Sequence, residues 1–336
     1  MGDVARLAGV SLGTVSNVLN SPSIVAAGTR DRVQAAIDEL GFVRNRNARS
    51  LASGRADTVG FVVIDLANSF FVDIARGAEK HADENDYRLL LADSHVDLSK
   101  QNDNLELFEE YRVSGALLAP FDGPLDAADR VREHGLPVVY VNWPGKGTES
   151  CGVVVDEQLG GYLATRHLLD TGRRQLMFIG GPMNLFAVRS RYDGAMRAVS
   201  ETAGATLELL TTDRLTVPAG RAAGARMIAS DCLRRSDGVV AAADALASGL
   251  VQSFLHAGIE VPGDIAVIGY DNNHFASDHI VPISTVGQPG FEMGMLAAEL
   301  LLEEIKEGAN HVHRTITLQP ELIVRASTTG RQAVLS

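Results

Sequence analysis

The chain has 336 residues, of which 46% are hydrophobic and 21% are charged. This length exceeds one compact core and predicts two or three domains of ordinary globular composition. No stretch is apolar enough to span a membrane, and the N-terminus lacks the apolar region of a signal peptide, so we expect a cytoplasmic protein with no membrane partner. The two cysteines provide neither a disulfide framework nor a metal-ligand spacing.

The net charge of −12 is unevenly distributed along the chain. Residues 1–57 contain seven arginines and five acidic residues, whereas the remainder contains 23 basic and 37 acidic residues. Any attraction to a polyanion such as DNA must therefore come from the N-terminal segment, because the rest of the chain repels phosphate. A dimer would double this positive surface.

The first twenty residues contain two short helical patterns separated by a turn. Apolar side chains recur at helical spacing at Val4, Ala5, Ala8, Val15, Val18 and Leu19. Gly9 can adopt the positive φ that a tight turn needs, and Ser11 is a favourable N-cap for the second helix. The pattern predicts a helix-turn-helix, whose second helix lies in the major groove of DNA. An ordinary helical hairpin is the alternative.

A third amphipathic helix and an arginine-rich segment follow. We expect Thr29 to cap the helix and Gly41 to end it. Residues 44–55 carry four arginines around Ala48 and Leu51. These two apolar side chains are too few to form a core, so this segment should become helical only with a partner and DNA.

From Thr58 onward, strand and helix patterns alternate. Apolar runs such as TVGFVVID are typical of strands that are buried on both faces. A second series of such units begins after the run Val153–Val155. Two series of strand-helix units predict two doubly wound parallel sheets with right-handed crossovers.

Two blocks, DVARLAGVSLGTVSNVLN and ELGFVRNRNARSLASGR, together with VIGYDN near the end, resemble the lac-repressor family of bacterial transcriptional regulators over essentially the whole chain. The resemblance implies a small all-α helix-turn-helix head and an α/β two-lobed body like that of periplasmic binding proteins. It also implies a homodimeric repressor that binds a pseudo-palindromic operator under the control of a small-molecule effector. The implied boundaries are a head at 1–43, a hinge helix at 44–57, a first lobe at 58–156 and 288–317, and a second lobe at 157–287 and 318–330.

The resemblance also assigns the residues that contact DNA. Leu12, Gly13 and Asn17 match the base-reading positions, and Ser11, Thr14 and Ser16 are better placed for phosphates. Asn17 stands where the family frequently has arginine, and asparagine is suited to adenine rather than guanine. The hinge residues expected to contact DNA are Asn45, Arg46, Ala48, Arg49 and Leu51. Leu51 matches the leucine that the family inserts into the minor groove.

Polar and aromatic side chains cluster where predicted strands end, which is where doubly wound sheets bind ligands. These residues are Asp65, Phe70, Phe71, Asp93, Asn142, Trp143, Asp244 and Asp271. Carboxylates and aromatic rings together suit a polyhydroxylated ring, although each aspartate taken alone is as readily a cap or turn residue. The resemblance adds Arg191 as the arginine that commonly holds the effector, and we include Gln288 at a predicted crossing between the lobes.

Two departures from the family pattern affect the effector. Ala243 replaces a frequent asparagine and removes one expected hydrogen bond. The pair Asn142-Trp143 replaces the commoner Asp-Arg, and a tryptophan here resembles purine repressors, which stack a base on it. We expect a sugar or sugar derivative first, and a purine or nucleoside second.

Other classes of protein fit the sequence less well. Residues Gly9 to Gly13 match the G-x-S-x-G nucleophile elbow, but a helix precedes them where that motif needs a strand. His311 and His313 alternate on a predicted strand without a third ligand nearby, so no metal site is expected. We therefore expect no enzyme and no cofactor. A sugar-binding protein or enzyme built on the same two-lobed body is the remaining alternative.

Overall fold

The computed structural model describes residues 1–42, 57–121, 125–144, 149–230 and 232–329. The chain divides into two compact units, Met1–Ala56 and Asp57–Ser336. The described part of the first unit contains helices α1 (Gly2–Ala8), α2 (Leu12–Asn20) and α3 (Ala27–Glu39).

The turn between α1 and α2 has the predicted local geometry. Gly9 ends α1 with φ 64° and ψ 41°, in the left-handed region. Ser11 is the N-cap of α2, and its side-chain oxygen accepts a hydrogen bond from the amide of Thr14 at 3.1 Å. Both predictions for this turn are confirmed, because glycine and serine satisfy backbone requirements that depend only on neighbouring residues.

The predicted start of α3 is wrong. The helix begins at Ala27, and the amides of Thr29 and Arg30 already donate to the carbonyl of Ala26. Thr29 therefore lies in the first turn and caps nothing. Gly41 follows the end of the helix with φ 54°, as its predicted role requires.

The three helices of the first unit enclose a small apolar core. Its buried members are Val4, Ala5, Ala8, Val15, Val18, Val33 and Ala36. These side chains come from all three helices, so each amphipathic pattern is buried against the other two. This is the predicted helix-turn-helix with its supporting third helix.

Two six-stranded sheets form the described part of the second unit. Its strands are β1 (Thr58–Val63), β2 (Arg88–Asp93), β3 (Ala116–Leu118), β4 (Val138–Val141), β5 (Gly152–Val155), β6 (Gln175–Gly180), β7 (Thr206–Thr211), β8 (Gly238–Ala241), β9 (Ala266–Asp271), β10 (Ser284–Gly287), β11 (Thr315–Leu318) and β12 (Glu321–Ile323). The first sheet has the order β11-β5-β4-β3-β1-β2, and the second has the order β12-β10-β9-β8-β6-β7.

Strand pairing is parallel throughout the first sheet, and in the second sheet only the β10–β12 pair is antiparallel among the described residues. Most of the central strands are fully buried, which accounts for their continuous apolar sequences. The late strands β11 and β12 join different sheets, so the chain passes between the sheets more than once. The predicted fold class is confirmed.

Helices cover both faces of the two sheets. They are α4 (Ser69–Glu84), α5 (Leu98–Glu110), α6 (Asp126–Glu133), α7 (Glu157–Asp170), α8 (Phe186–Ser200), α9 (Val217–Ala229), α10 (Asp244–His256), α11 (His274–Ser277), α12 (Gly290–Glu307) and α13 (Ala326–Thr329). Beside the first sheet α12 packs on α4, and beside the second sheet α7 packs on α8.

The contact between α4 and α12 depends on two glycines. A Cβ at Gly77 would lie 2.0 Å from the carbonyl oxygen of Phe291, and one at Gly294 would lie 1.9 Å from that of Ile74. Neither backbone oxygen can move without shifting a helix. The glycines therefore allow the two helices to approach until backbone touches backbone.

Candidate functional site

The exposed face of α2 carries the residues that are predicted to read bases. Leu12 is 57% exposed, and Gly13 and Asn17 are exposed too. The opposite face is anchored in the core by Val15 and Val18. The helix thus presents a fixed surface with one amide, one leucine and a glycine between them.

The predicted phosphate contacts lie at the N-terminal end of the same helix. Ser11 Oγ and Thr14 Oγ1 are 2.9 Å apart, and Ser16 is half-buried. No acidic residue occupies the first turn of α2. The positive end of the helix dipole is therefore not neutralised by the helix's own side chains.

The predicted hinge contacts are Asn45, Arg46, Ala48, Arg49 and Leu51. All five lie outside the described residues.

A cleft of about 780 Å³, partly open to solvent, lies in the second unit. Residues that follow strands of both sheets line it. Seven of the ten predicted effector residues belong to this lining: Asp65, Phe70, Phe71, Asn142, Trp143, Arg191 and Asp271. Residues from separate strand ends therefore meet at one site.

Aromatic rings face the cleft from both sheets. Trp143, which follows β4, lies with its ring centroid 5.4 Å from that of Phe186 at the start of α8, and the rings are tilted by 60°. Phe70 and Phe71, at the start of α4, form a second tilted pair at 5.4 Å. Such rings cover the apolar face of a flat or ring-shaped ligand.

Arg191 is held by a carboxylate beside the cleft. Its Nε and Nη2 donate to the two oxygens of Glu157 at 2.7 and 2.9 Å, and its Nη1 donates to the carbonyl of Ala242 at 2.6 Å. Its guanidinium also lies 3.7 Å from the centroid of the Tyr270 ring. Burial opposes the charge, but the Glu157 carboxylate together with Tyr270 and Asp271 outweighs it, so the pKa of Arg191 is raised. The arginine is therefore charged and fixed in place before any ligand arrives.

Asp271 connects the two sides of the cleft. Its Oδ1 accepts from the amide of Gln288 at 2.7 Å, and its Oδ2 accepts from Asn68 at 3.3 Å. Arg191 Nη1 lies 3.7 Å from Oδ1. Burial raises the pKa of Asp271 to about 6, although Arg191 lowers it. Its φ of 110° is unfavourable for a residue with a side chain, and such strain clusters at binding sites.

Asn142 offers an acceptor that no described residue uses. Its Oδ1 is buried and has no hydrogen-bond partner in the described part of the chain. Its φ of 57° lies in the left-handed region, which asparagine tolerates. A buried amide oxygen is costly unless a donor reaches it, so this atom marks where a ligand hydroxyl or N–H can bind.

Three predicted effector residues lie outside the lining of the cleft. Asp244 is fully buried: its carboxylate accepts from Thr285 Oγ1 at 2.7 Å and from the amide of Asn273 at 2.9 Å. Burial and the charge of Asp271 raise the pKa of Asp244. These bonds join the start of α10 to β10 and to the segment that follows β9, and Asp244 is not among the residues that line the cleft in this structure.

Asp93 and Gln288 have comparable supporting positions. Asp93 accepts from the backbone amides of Leu66 at 3.1 Å and His95 at 2.7 Å, which is the turn role that a lone aspartate often has. Gln288 orients Asp271 and does not line the cleft. Both side chains contact residues near the cleft and do not line it themselves.

Sequence reasoning missed Asn68, Phe186 and Arg214, which also line the cleft. Phe186 is the first residue of α8, directly after the loop that follows β6, at the same carboxyl edge as the residues that were found. Applying the strand-end rule to β6 as well would have identified it.

A second polar cluster lies beside the first sheet. His311 and His313, which lack a third ligand in the sequence, lie close to Cys151 and Glu304 in the structure. Cys151 precedes β5 and is distant in sequence, so spacing could not reveal it. The prediction that the histidines have no further ligand nearby is wrong.

The chain combines a helix-turn-helix unit with a pair of largely parallel sheets that hold a cleft. This combination defines a DNA-binding transcriptional regulator with a small-molecule site. Residues 1–45 match the family described as "Bacterial regulatory proteins, lacI family", and residues 165–328 match the "Periplasmic binding protein-like domain". A relative from Photobacterium profundum, the "HTH-type transcriptional repressor PurR", is 34% identical over 329 residues, which cover 97% of each chain. The chain belongs to the lacI family of bacterial regulatory proteins.

Solved structures agree with this assignment. The "transcriptional regulator CelR-cellobiose complex" is 30% identical with a TM-score of 0.73, and the match covers 97% of this chain and 98% of that one. The lac repressor dimer bound to operator and the anti-inducer ONPF shares the fold, with a TM-score of 0.81 at 24% identity and the same coverage. The chain is thus a transcriptional repressor of this family and not an enzyme. Among the described residues, no helix has the length and apolar character needed to cross a membrane.

Proposed function

We propose that this repressor acts in the cytoplasm as a homodimer on a pseudo-palindromic operator, and that a sugar or sugar derivative in the cleft controls its DNA affinity. The cleft carries this proposal, because hydrogen-bond acceptors converge there between aromatic rings. A relative at 30% identity whose structure is a cellobiose complex supports the same class of ligand.

The DNA-reading part of the proposal rests on α2. Exposed Leu12 can contact a thymine methyl, and exposed Asn17 can pair with adenine N6 and N7. Ser11, Thr14 and Ser16 position the helix on phosphates without reading sequence. The operator should therefore depend less on guanine at the position that Asn17 reads.

We further propose the boundaries that the family resemblance implies. The head is 1–43 and the hinge is 44–57, with Leu51 as the minor-groove wedge. The first lobe is 58–156 and 288–317, and the second is 157–287 and 318–330. Crossings near Asp156, Gln288 and Gln319 would let the lobes rotate about these three connections.

Hydrogen-bonding chemistry favours a sugar. Asp271 and Asn142 present acceptors in the cleft, and a sugar ring has several hydroxyl groups that can donate to them. Arg191 is fixed with its guanidinium at the cleft wall and can donate to a hydroxyl or ring oxygen. Trp143 and Phe186 would cover the apolar face of the ring.

A purine or nucleoside is the second candidate. The observation that favours it is the indole of Trp143, because a purine stacks on an indole over its whole face. A purine carries fewer donors than a sugar and would leave more of the cleft acceptors without partners.

Contacts across the cleft provide a way for ligand binding to change DNA affinity. The Asn68–Asp271 hydrogen bond and the Trp143–Phe186 contact both join the two sides of the cleft. A ligand that inserts between these pairs would change how tightly the lobes close. Coupling between effector and operator is typically about 1–3 kcal/mol and acts equally in both directions.

The single tryptophan provides the test, because Trp143 is the only one in the chain. Monosaccharides, cellobiose, sugar phosphates, nucleobases and nucleosides are titrated while intrinsic tryptophan fluorescence is recorded. We expect saturable changes with a carbohydrate, confirmed by calorimetry. Saturation by a nucleobase with no response to any carbohydrate reverses the order of the two candidates.

Operator binding is tested separately. Selection from random duplex DNA with the full-length protein should yield a pseudo-palindrome, and Leu51→Ala should weaken binding to that operator far more than to scrambled duplex. Equal losses on both duplexes would show that the wedge is not used. Effectors found by fluorescence are then added to the operator complex to measure the coupling.

A further inference from the structure

Four side chains from separate parts of the second unit converge beside the first sheet. Cys151 precedes β5, Glu304 lies in the last turns of α12, and His311 and His313 lie between α12 and β11. Their potential ligand atoms all lie within 4.8 Å of one another. Cys151 is fully buried, Glu304 and His311 are 8% and 9% exposed, and only His313 reaches the surface. The cluster is therefore an enclosed site and not a chance grouping of surface residues.

The separations between these atoms fit one small ion. Cys151 Sγ lies 3.2 Å from His311 Nε2 and 3.7 Å from His313 Nδ1. His313 Nδ1 lies 3.9 Å from Glu304 Oε2. In a tetrahedral zinc site, bonds of about 2.0–2.3 Å place neighbouring ligand atoms about 3.3–3.6 Å apart. The three measured separations therefore lie within about half an ångström of that spacing.

The surrounding groups hold the ligands as metal sites require. His311 Nδ1 lies 3.0 Å from Glu307 Oε2, so a proton on Nδ1 leaves the lone pair of Nε2 directed at the cluster. The amide of Arg314 donates to Cys151 Sγ at 3.4 Å, which fixes the position of the sulfur beside the two histidines.

The carboxylate of Glu304 has few hydrogen-bond donors near it among the described residues. Its Oε2 is buried and has no hydrogen-bond partner among the described residues, and Arg132 Nη1 is 3.9 Å from its other oxygen. A buried carboxylate oxygen without a donor is costly, and a bound cation removes that cost. This oxygen points to a ligand independently of the distances among the other three side chains.

We propose that Cys151, Glu304, His311 and His313 form a four-coordinate site for a divalent transition metal ion, with Zn²⁺ preferred. One thiolate, two imidazoles and one carboxylate match zinc, whereas Mg²⁺ and Ca²⁺ prefer oxygen ligands alone. The protein supplies all four ligands, so the ion has a structural role. It ties the start of β5 to the chain that follows α12, 160 positions away.

The experiment uses full-length protein that has been stripped with a chelator and dialysed. Calorimetric titration with ZnCl₂ and elemental analysis after desalting should give one zinc per chain and an increase in Tm. Co²⁺ should give the visible bands of a tetrahedral ion and a thiolate charge-transfer band. Cys151→Ser and His313→Ala should each lower zinc affinity at least tenfold, and Cys151→Ser should abolish the charge-transfer band.

Cys232→Ser is the matched control, because Cys232 is the other cysteine and lies outside the cluster. It should leave stoichiometry, affinity and the cobalt spectrum unchanged. If His313→Ala, whose side chain is only partly buried, folds and retains full zinc affinity, the proposed site is wrong. Absence of stoichiometric zinc binding by the unsubstituted protein at micromolar free metal also overturns it. Neither readout depends on the effector or on DNA.

Discussion

The rings of Trp143 and Phe186 lie 5.4 Å apart across the cleft, although one residue follows a strand of the first sheet and the other begins a helix beside the second. A ligand that enters the cleft meets the Trp143–Phe186 contact, and the same contact joins the two sides of the cleft when it closes.

Phe186→Ala should weaken effector binding by about 1–2 kcal/mol, or roughly 5- to 30-fold in Kd, because the ligand loses one aromatic wall. Calorimetry measures the change without relying on Trp143 fluorescence. Tyr111→Ala removes another exposed aromatic side chain, outside the cleft lining, and should leave Kd unchanged. Equal effects of both variants would contradict a direct role for Phe186.

Stability should depend on pH through Asp271. Burial raises its pKa to about 6, whereas an unfolded aspartate titrates near about 3.9. Between these values the unfolded chain releases a proton that the folded chain keeps, so the free energy of unfolding falls as pH rises and levels off above about 6. This contribution is on the order of 2–3 kcal/mol. Burial also raises the pKa of Asp244, which adds a slope of the same sign.

Urea unfolding between pH 4 and 8 measures this slope. Asp271→Asn should reduce the loss of stability between pH 4 and 6, because an amide does not titrate. Asp213→Asn, at an exposed position, serves as the control and should retain the full slope. The prediction fails if Asp271→Asn and the unsubstituted protein have identical slopes.

Asn17→Ala should lower affinity for the selected operator by about 1–3 kcal/mol and leave affinity for scrambled duplex nearly unchanged, because it removes a base contact and no phosphate contact. Fluorescence anisotropy at one fixed salt concentration measures both affinities. Gln34→Ala removes an exposed amide from α3 and should change neither. Parallel losses on both duplexes for Asn17→Ala would assign it to the phosphate backbone.

Gly294→Ala should destabilise the second unit by about 1–3 kcal/mol, because the new methyl would collide with the carbonyl oxygen of Ile74. Gly28→Ala in α3 is the contrasting variant, since no atom lies within 4 Å of its missing Cβ. It should stabilise the first unit by up to about 1 kcal/mol. Thermal unfolding, followed by calorimetry, distinguishes the two. A stabilising Gly294→Ala would show that α4 and α12 are not packed backbone to backbone.

Local features were the most predictable. Gly9 and Ser11 have their expected roles because a turn and a cap depend on residues within one helical turn. Thr29 was a plausible cap for the same reason, yet α3 begins before it. Several nearby starts satisfy the local rules equally well, and packing of the whole helix selects among them.

The cleft was predictable in outline. Parallel strands end at one edge, so Asp65, Asn142 and Asp271 could be grouped before their contacts were known. Which strand-end residue faces the cleft and which faces inward was not predictable. Asp244 follows the end of β8 much as Asp65 follows the end of β1, but its carboxylate accepts a hydrogen bond from Thr285 and does not line the cleft.

The sequence by itself determined the helix-turn-helix, the two series of parallel strands and the uneven charge, because each arises from periodicity or composition along a short stretch of chain. Only the tertiary structure decided that Glu157 holds Arg191, and that Cys151 and Glu304 complete a cluster with His311 and His313. Those partners come from distant segments. Their meeting depends on strand order and helix packing, which no local pattern specifies.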